Sequence, residues 1–138
     1  MIIRCFDESD LGRAVELLEQ LSPSLIDNDI LRTAVADLSG DHYINVCEVN
    51  GLVIGTSHLY VQPNLSHGGK PKGHVENVVV DRNHREHGIG RLLVNDLLRV
   101  ARERGCYKVV LNCKPENYGF YKGLGFRVTG EVEMRFDL

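Results

Sequence analysis

The sequence predicts an α+β domain organised around one mixed sheet. Three observations carry this reading. β-Branched runs recur along the chain, two of them are joined by the hairpin dipeptide Asn50-Gly51, and one strand–helix–strand crossover interrupts the hairpins. The full order reads β-α-α-β-β-β-α-β-α-β-β, implying a central sheet of six or seven strands flanked by about four helices. At 138 residues the chain supports one core and not two, so a single domain is expected over residues 1–138.

Ile2 to Phe6 is a short β-branched strand. Asp7-Glu-Ser-Asp10 then offers capping side chains ahead of Leu11, Val15, Leu17, Leu18 and Leu21 at helical spacing, and Pro23 stops that helix. Asp27-Asn-Asp29 opens a second helix with Ile30, Leu31, Ala34, Val35 and Leu38 on its apolar face, ended by Ser39-Gly40. Tyr43 to Val49 and Leu52 to Val61 form the hairpin about Asn50-Gly51. Gln62 to Gly73 is a loop of about a dozen residues, long enough to suggest a role. His74 to Val80 is a valine-rich strand, Asp81 to Ile89 a polar turn, and Gly90 to Arg104 an amphipathic helix closed by Gly105. Lys108 to Cys113 is a strand, Asn117 to Leu124 a short helix closed by Gly125, and Phe126 to Phe136 one or two final strands.

Composition narrows the function. Hydrophobic residues at 43% and charged residues at 25% exclude a disordered or collagen-like chain. Sixteen Lys and Arg against nineteen Asp and Glu leave a net charge of −3, so no nucleic-acid or membrane partner is expected and any anion site must be local. No apolar run approaches the roughly 20 residues of a membrane helix, and Met1 to Asp7 turns charged too early for a secretory signal. A cytoplasmic protein is expected. Cys5, Cys47, Cys106 and Cys113 form no CxxC pair, which favours free thiols over a zinc site.

The most informative segment is Val78-Val-Val-Asp-Arg-Asn-His-Arg-Glu-His-Gly-Ile-Gly-Arg91, a buried strand running through a basic, glycine-bearing turn into a helix. Helix-start N–H groups have no intrahelical partner and carry partial positive charge. Gly88 and Gly90 allow close backbone approach, and Arg85 and Arg91 add full charges, so the turn suits a diphosphate. A plain connecting turn with solvated arginines fits the same residues. A Walker loop is excluded, since no Gly-Lys-Ser/Thr follows. A Rossmann fingerprint is excluded by Leu93, where a third glycine belongs.

Arg85-x-x-Gly88-x-Gly90 at a strand-to-helix junction resembles the acetyl-CoA pyrophosphate loop of the GCN5-related N-acetyltransferase (GNAT) superfamily. Asn117-Tyr-Gly-Phe-Tyr121 followed by Leu124-Gly-Phe126 is similar to its second signature. Within the superfamily, His74 to Val80 and Cys106 to Cys113 resemble the glucosamine-6-phosphate N-acetyltransferases, with amides at Asn77 and Asn112 where those enzymes carry acids. Glu86 stands where a glycine often follows the loop arginine.

The resemblance implies an acyl-CoA N-acyltransferase fold, with acetyl-CoA as co-substrate and no metal. It implies cofactor contacts from Val78, Val79, Val80, Arg85, Glu86, His87, Gly88, Ile89, Gly90, Arg91, Asn117 and Tyr121. A small primary amine, with an amino sugar phosphate as one candidate, would be acetylated directly in a ternary complex, and a homodimer is implied. Acetyl transfer needs a neutral amine, a stabilised oxyanion and a protonated leaving thiolate. Glu76 is the first candidate base, with His74 as the weaker one and the backbone carbonyl near Asn112 assisting the amine. A backbone N–H near Val78, beside a β-bulge, is the candidate oxyanion donor.

Tyr121 is the candidate acid, since a phenol with pKa about 10 stays protonated at neutral pH and can donate to a thiolate whose thiol titrates at about 8.5. A Cys113 acyl-enzyme is disfavoured, because nothing adjacent would lower that thiol's pKa. Acceptor contacts are expected from His74, Glu76, Asn77, Asn112 and Arg135. His58, His67, Lys70, Lys72 and Arg135 fit either a cationic pocket for an anionic acceptor group or ordinary solvated surface. Two other readings of the same fold stay open: a protein-lysine or N-terminal acetyltransferase with an open groove, and a catalytically silent acyl-CoA sensor.

Overall fold

In the computed structural model of the protein, residues 1–23 and 27–138 are described. Strand β1 (Ile2–Cys5) leads into Asp7, whose carboxylate accepts the Ser9 N–H while Asp10 accepts the Asp7 N–H at 2.8 Å. This reciprocal capping box opens the single 3-10 turn Glu8–Asp10, which runs on into α1 (Leu11–Leu21), a helix that buries Leu11, Ala14, Val15 and Leu17. Asp27 caps α2 (Asn28–Ala36), a helix that buries none of its side chains. Strands β2 (His42–Val49) and β3 (Leu52–Gln62) are joined by Asn50 and Gly51, both at positive φ, as this dipeptide favours. Strand β4 (Lys72–Val80), α3 (Ile89–Glu103), β5 (Lys108–Val110) and α4 (Tyr118–Gly123) complete the described elements.

The sheet runs β1-β2-β3-β4-β5, antiparallel throughout except for the β4–β5 pair, which is parallel with α3 as its crossover. Helix α3 covers one face, where Leu97, Val100 and Ala101 meet Leu59, Val61 and Val75. Its first turns pack Ile89 and Leu93 on Cys47 and Ile54. Gly55 makes that close seat available: a Cβ there would lie 3.0 Å from a Leu93 methyl and 3.2 Å from the Val79 carbonyl oxygen. Buried Asn45 adds direction, its amide donating to Asp96 at 2.9 Å and to the Leu93 carbonyl at 3.1 Å. Helix α1 covers the opposite face, with Leu17 against Val46, Val53 and Val79.

Two sequence expectations meet a different outcome. The sheet has five strands among the described residues, not six or seven, because residues 126–136 enter no ladder. Val132, Met134, Phe136 and Leu138 keep the alternation of a strand, yet each is at least 84% exposed. Period-two spacing specifies the face a strand would present, and says nothing about whether a neighbour exists to pair with it. Secondly, β3 and β4 reach to Gln62 and from Lys72, so the connection between them is shorter than expected. His67 in that connection stacks on Tyr107 at 4.1 Å.

Candidate active site

Strands β4 and β5 pair only from Lys72 to His74 and from Lys108 to Val110. Beyond those residues the two strands share no ladder, so the later part of β4 offers an unpaired backbone edge toward the segment that carries Asn112 and Cys113. An extended amide-bearing ligand arm can add to such an edge as another strand would.

A bulge shapes the same strand. The β3–β4 register pairs His58 with Glu76 and Thr56 with Val79, so Asn77 and Val78 together face the single residue Ser57. Asn77 takes a positive φ of 53° to make this possible. The extra residue reverses the side-chain alternation. Val75, Val78 and Val80 pack on the α3 side, whereas Val79 packs on α1. The bulge expected near Val78 therefore sits at Asn77–Val78.

The basic turn follows directly. Asp81 accepts the Asn83 N–H at 3.0 Å and pairs with Arg13 of α1, anchoring the turn's start. Arg85 folds its Nε onto the Val80 carbonyl at 3.1 Å. Glu86 and Gly88 both have left-handed backbones, with φ of 69° and 77°. The left-handed value at Glu86 gives a physical reason for a glycine preference there, since a side chain in this region is strained. Gly88 caps α3, and no atom lies within 4 Å of the position its Cβ would occupy. The N–H groups of Ile89, Gly90 and Arg91 open the 15-residue helix without intrahelical acceptors. These residues fit a diphosphate on open, donor-rich backbone at a helix start.

Helix α4 is held against that loop. Phe120 lies over Gly90, 3.2 Å from where a Cβ would stand, and Arg91 reaches the Gly123 carbonyl at 3.4 Å. Tyr121 is half-buried and edge-on to Phe120 and Phe126. Burial, with Cys113 adding to it, pushes the phenol above its ordinary value, so it is a proton donor throughout the neutral range. Asn117 stands at the N-cap of α4, and its side chain makes no capping hydrogen bond.

Among the acceptor-side candidates, Glu76 is exposed on β4 opposite His58, and His74 is half-buried with Nε2 2.6 Å from the Gln62 amide oxygen. Asn112 is exposed in the segment after β5. Arg135 lies in the exposed tail and pairs with Asp137 at 2.7 Å; no hydrogen bond or ion pair among the described residues joins it to the cleft. The five residues grouped as a cationic pocket do not form one cluster. His58 lies on the α1 face, where burial and its neighbour His42 push its pKa down, whereas His67 stacks on Tyr107.

Sequence reasoning missed His42 and Tyr60. His42 Nδ1 lies 2.8 Å from His58 Nε2, Tyr60 stacks on His42 at 4.6 Å, and His74 stacks on Tyr60 at 5.9 Å. The signal was period two: His58, Tyr60 and Gln62 alternate along β3, as His74 and Glu76 do along β4. No group of three or more metal-ligating side chains comes together among the described residues.

Known proteins share this fold. A Trypanosoma brucei brucei protein named glucosamine 6-phosphate N-acetyltransferase is 36% identical over 140 residues, covering 99% of this chain and 95% of its own. A crystal structure of a Trypanosoma brucei acetyltransferase superposes with a TM-score of 0.88 at 36% identity, covering 99% of each chain. The glucosamine-6-phosphate N-acetyltransferase of Arabidopsis thaliana superposes at 0.85 with 30% identity, over 98% of this chain and 97% of that one. The acetyltransferase (GNAT) family profile matches residues 11–126, and the chain belongs to that family of acetyltransferases.

Proposed function

We propose that this enzyme transfers the acetyl group of acetyl-CoA to the amine of an amino sugar phosphate, glucosamine 6-phosphate, in a ternary complex. The observation that carries the acceptor is the 36% identity, end to end, with a relative bearing that name. The loop from Arg85 to Arg91 binds the diphosphate of the co-substrate through the N–H groups at the start of α3. The unpaired edge of β4 at Val78, Val79 and Val80 takes its amide-bearing arm, with Asn117 and Tyr121 on the far side. Glu86 and His87, both exposed, flank the diphosphate.

Four steps then fall to this chain. Glu76 accepts a proton from the acceptor's ammonium, and the main-chain carbonyl at Asn112 orients the amine. The Val78 N–H, set by the bulge, donates to the oxygen that gains charge as the amine attacks. Tyr121 gives its proton to the departing thiolate. His74, Asn77, Asn112 and Arg135 hold the sugar phosphate.

A homodimer completes the site. The tail's alternating apolar row has no partner among the described residues, and β5 is an edge strand with a three-residue ladder. A second copy supplies that partner and brings Arg135 to a cleft from across the interface. The working compartment is the reducing cytoplasm, in keeping with four free thiols.

Thiol release from acetyl-CoA, measured with glucosamine 6-phosphate, glucosamine and a lysine peptide, tests the acceptor. The sugar phosphate should exceed the other two in kcat/KM by about a hundredfold, since a bound phosphate contributes several charge-assisted hydrogen bonds. A preference for the peptide would make the enzyme a protein acetyltransferase. Cofactor binding without release for any amine would make it a sensor. Sedimentation of the full chain and of a chain ending at Gly130 tests the dimer, which the shorter chain should fail to form.

A further inference from the structure

We propose that His58 and His42 form a proton-accepting pair behind Glu76, taking up the proton that the acceptor's ammonium loses before it attacks. The inference rests on the reading of Glu76 as the first proton acceptor. Glu76 and His58 are directly opposed across the β3–β4 ladder, next to the bulge. His58 Nε2 and His42 Nδ1 are 2.8 Å apart, a distance at which one nitrogen must carry the shared hydrogen and the other must accept it. Tyr60, stacked on His42 and backed by His74, holds the His42 ring in that orientation.

A cavity of about 60 Å³ adjoins His58, bounded by Phe6, Ala14, Leu18, Ile44 and Asn77. The surroundings of His58 are defined on every side. Strand β2 presents His42, β3 presents Tyr60, and β4 presents Glu76 and His74. The segment after β1 and helix α1 present only the apolar Phe6, Ala14 and Leu18.

The step balances as proton transfer alone. The ammonium N–H bond breaks as an O–H bond forms on Glu76. That O–H then breaks as an N–H forms on His58 Nδ1, which is free when Nε2–H donates to His42. A carboxylic acid is a stronger acid than an imidazolium, so Glu76 hands its proton to the His58 ring downhill, and the restored Glu76 carboxylate stabilises the imidazolium. Burial and the His42 ring lower the His58 pKa while Glu76 raises it, so His58 is neutral and ready at pH 7. The shared proton passes to water when the product leaves.

The test uses the full chain with acetyl-CoA and glucosamine 6-phosphate, following kcat, KM and their pH profiles. His58→Gln should lower kcat about tenfold or more and remove the acidic inflection, with the KM for acetyl-CoA unchanged. Free imidazole should restore turnover to His58→Ala in proportion to its neutral fraction, which a packing role would not produce. A His58→Gln enzyme with wild-type kcat and profile, or a folded His58→Ala enzyme that imidazole does not rescue, overturns the proposal.

NMR titration of the ring nitrogens gives a readout independent of turnover and of the alanine variant's folding. Glu76→Gln should lower the pH at which His58 protonates, and an unmoved titration overturns the pair's link to Glu76. If another amine proves to be the acceptor, the same variants are measured with that amine. The sugar-phosphate reading then falls while the histidine pair is judged separately.

Discussion

Gly90 and Phe120 couple the Arg85–Arg91 loop to the helix that carries Tyr121: a Cβ on Gly90 would stand 3.2 Å from Phe120 Cζ and 3.5 Å from its Cε2. Arg91 adds a second contact between the two helices, reaching the Gly123 carbonyl at 3.4 Å. Donor backbone and phenol are thus positioned by one small interface, without any covalent connection shorter than the α3–β5–α4 path.

Gly90→Val should force Phe120 outward and displace Tyr121 with it. Turnover is expected to fall about tenfold or more, because a misplacement near one ångström at a reacting group is costly. Phe120→Leu in the same chain frees the space and should recover part of that loss. A double-mutant cycle on kcat/KM measures the coupling, and strict additivity would show that the contact does not set the position of Tyr121.

Tyr121→Phe removes a hydroxyl and little else, so acetyl-CoA affinity should hold while kcat falls about tenfold or more. The pH dependence follows from the raised phenol. The donor form persists below the shifted value and is lost only above it, so wild-type turnover should show no alkaline decline attributable to this group below about pH 10. Stopped-flow thiol release over that range checks both parts, and a wild-type rate in the phenylalanine variant would remove Tyr121 from the chemistry.

Local chemistry was legible in the sequence wherever neighbours along the chain determine the outcome. The Asn50-Gly51 turn, the Asp7 and Asp27 caps and the Gly88 helix start all depend on residues within a few positions of one another. The strand-to-helix turn before α3 and the short helix that carries Tyr121 were legible for the same reason. What escaped depends on partners distant in sequence. The bulge was expected near Val78, but its exact place at Asn77–Val78 exists only in relation to Ser57, and the β4–β5 ladder ends at Val110. His42 and His58 meet across a ladder whose register no single strand specifies. The tail was misread through its pattern, which is a strand's pattern awaiting a neighbour.

Glu86→Gly should tighten acetyl-CoA binding about twofold or more, because it removes a carboxylate beside the diphosphate loop and suits the left-handed backbone. The gain should shrink as salt is added, since the charge is exposed and screened. Gly88→Val acts in the opposite sense. A β-branched residue at φ 77° costs about 1–2 kcal/mol and shifts the loop, so the Kd for acetyl-CoA should rise about tenfold. Calorimetric titration measures both, and equal affinities for the two variants and the wild type would place the diphosphate elsewhere.

Asp81 joins the loop to α1, accepting the Asn83 N–H at 3.0 Å and pairing with Arg13, which itself donates to the Val53 carbonyl at 2.9 Å. The Asn83 N–H and the Arg13 guanidinium hold the carboxyl below its ordinary value of 3.8. A folded-state pKa below the unfolded one gives stability that is fully present above the ordinary carboxylate value. That stability is lost as pH falls through the lower, folded value. Asp81→Asn keeps the turn's acceptor oxygen and loses the charge, so it should cost about 1–2 kcal/mol in urea unfolding at pH 7. The gap to wild type should narrow as pH drops below about 4, where the carboxyl of the unfolded wild-type chain begins to take up its proton, and close once pH passes the lower, folded value. A gap that stays constant down to acid unfolding would mean that the Arg13 charge contributes nothing, and that Asp81 serves only to cap the turn.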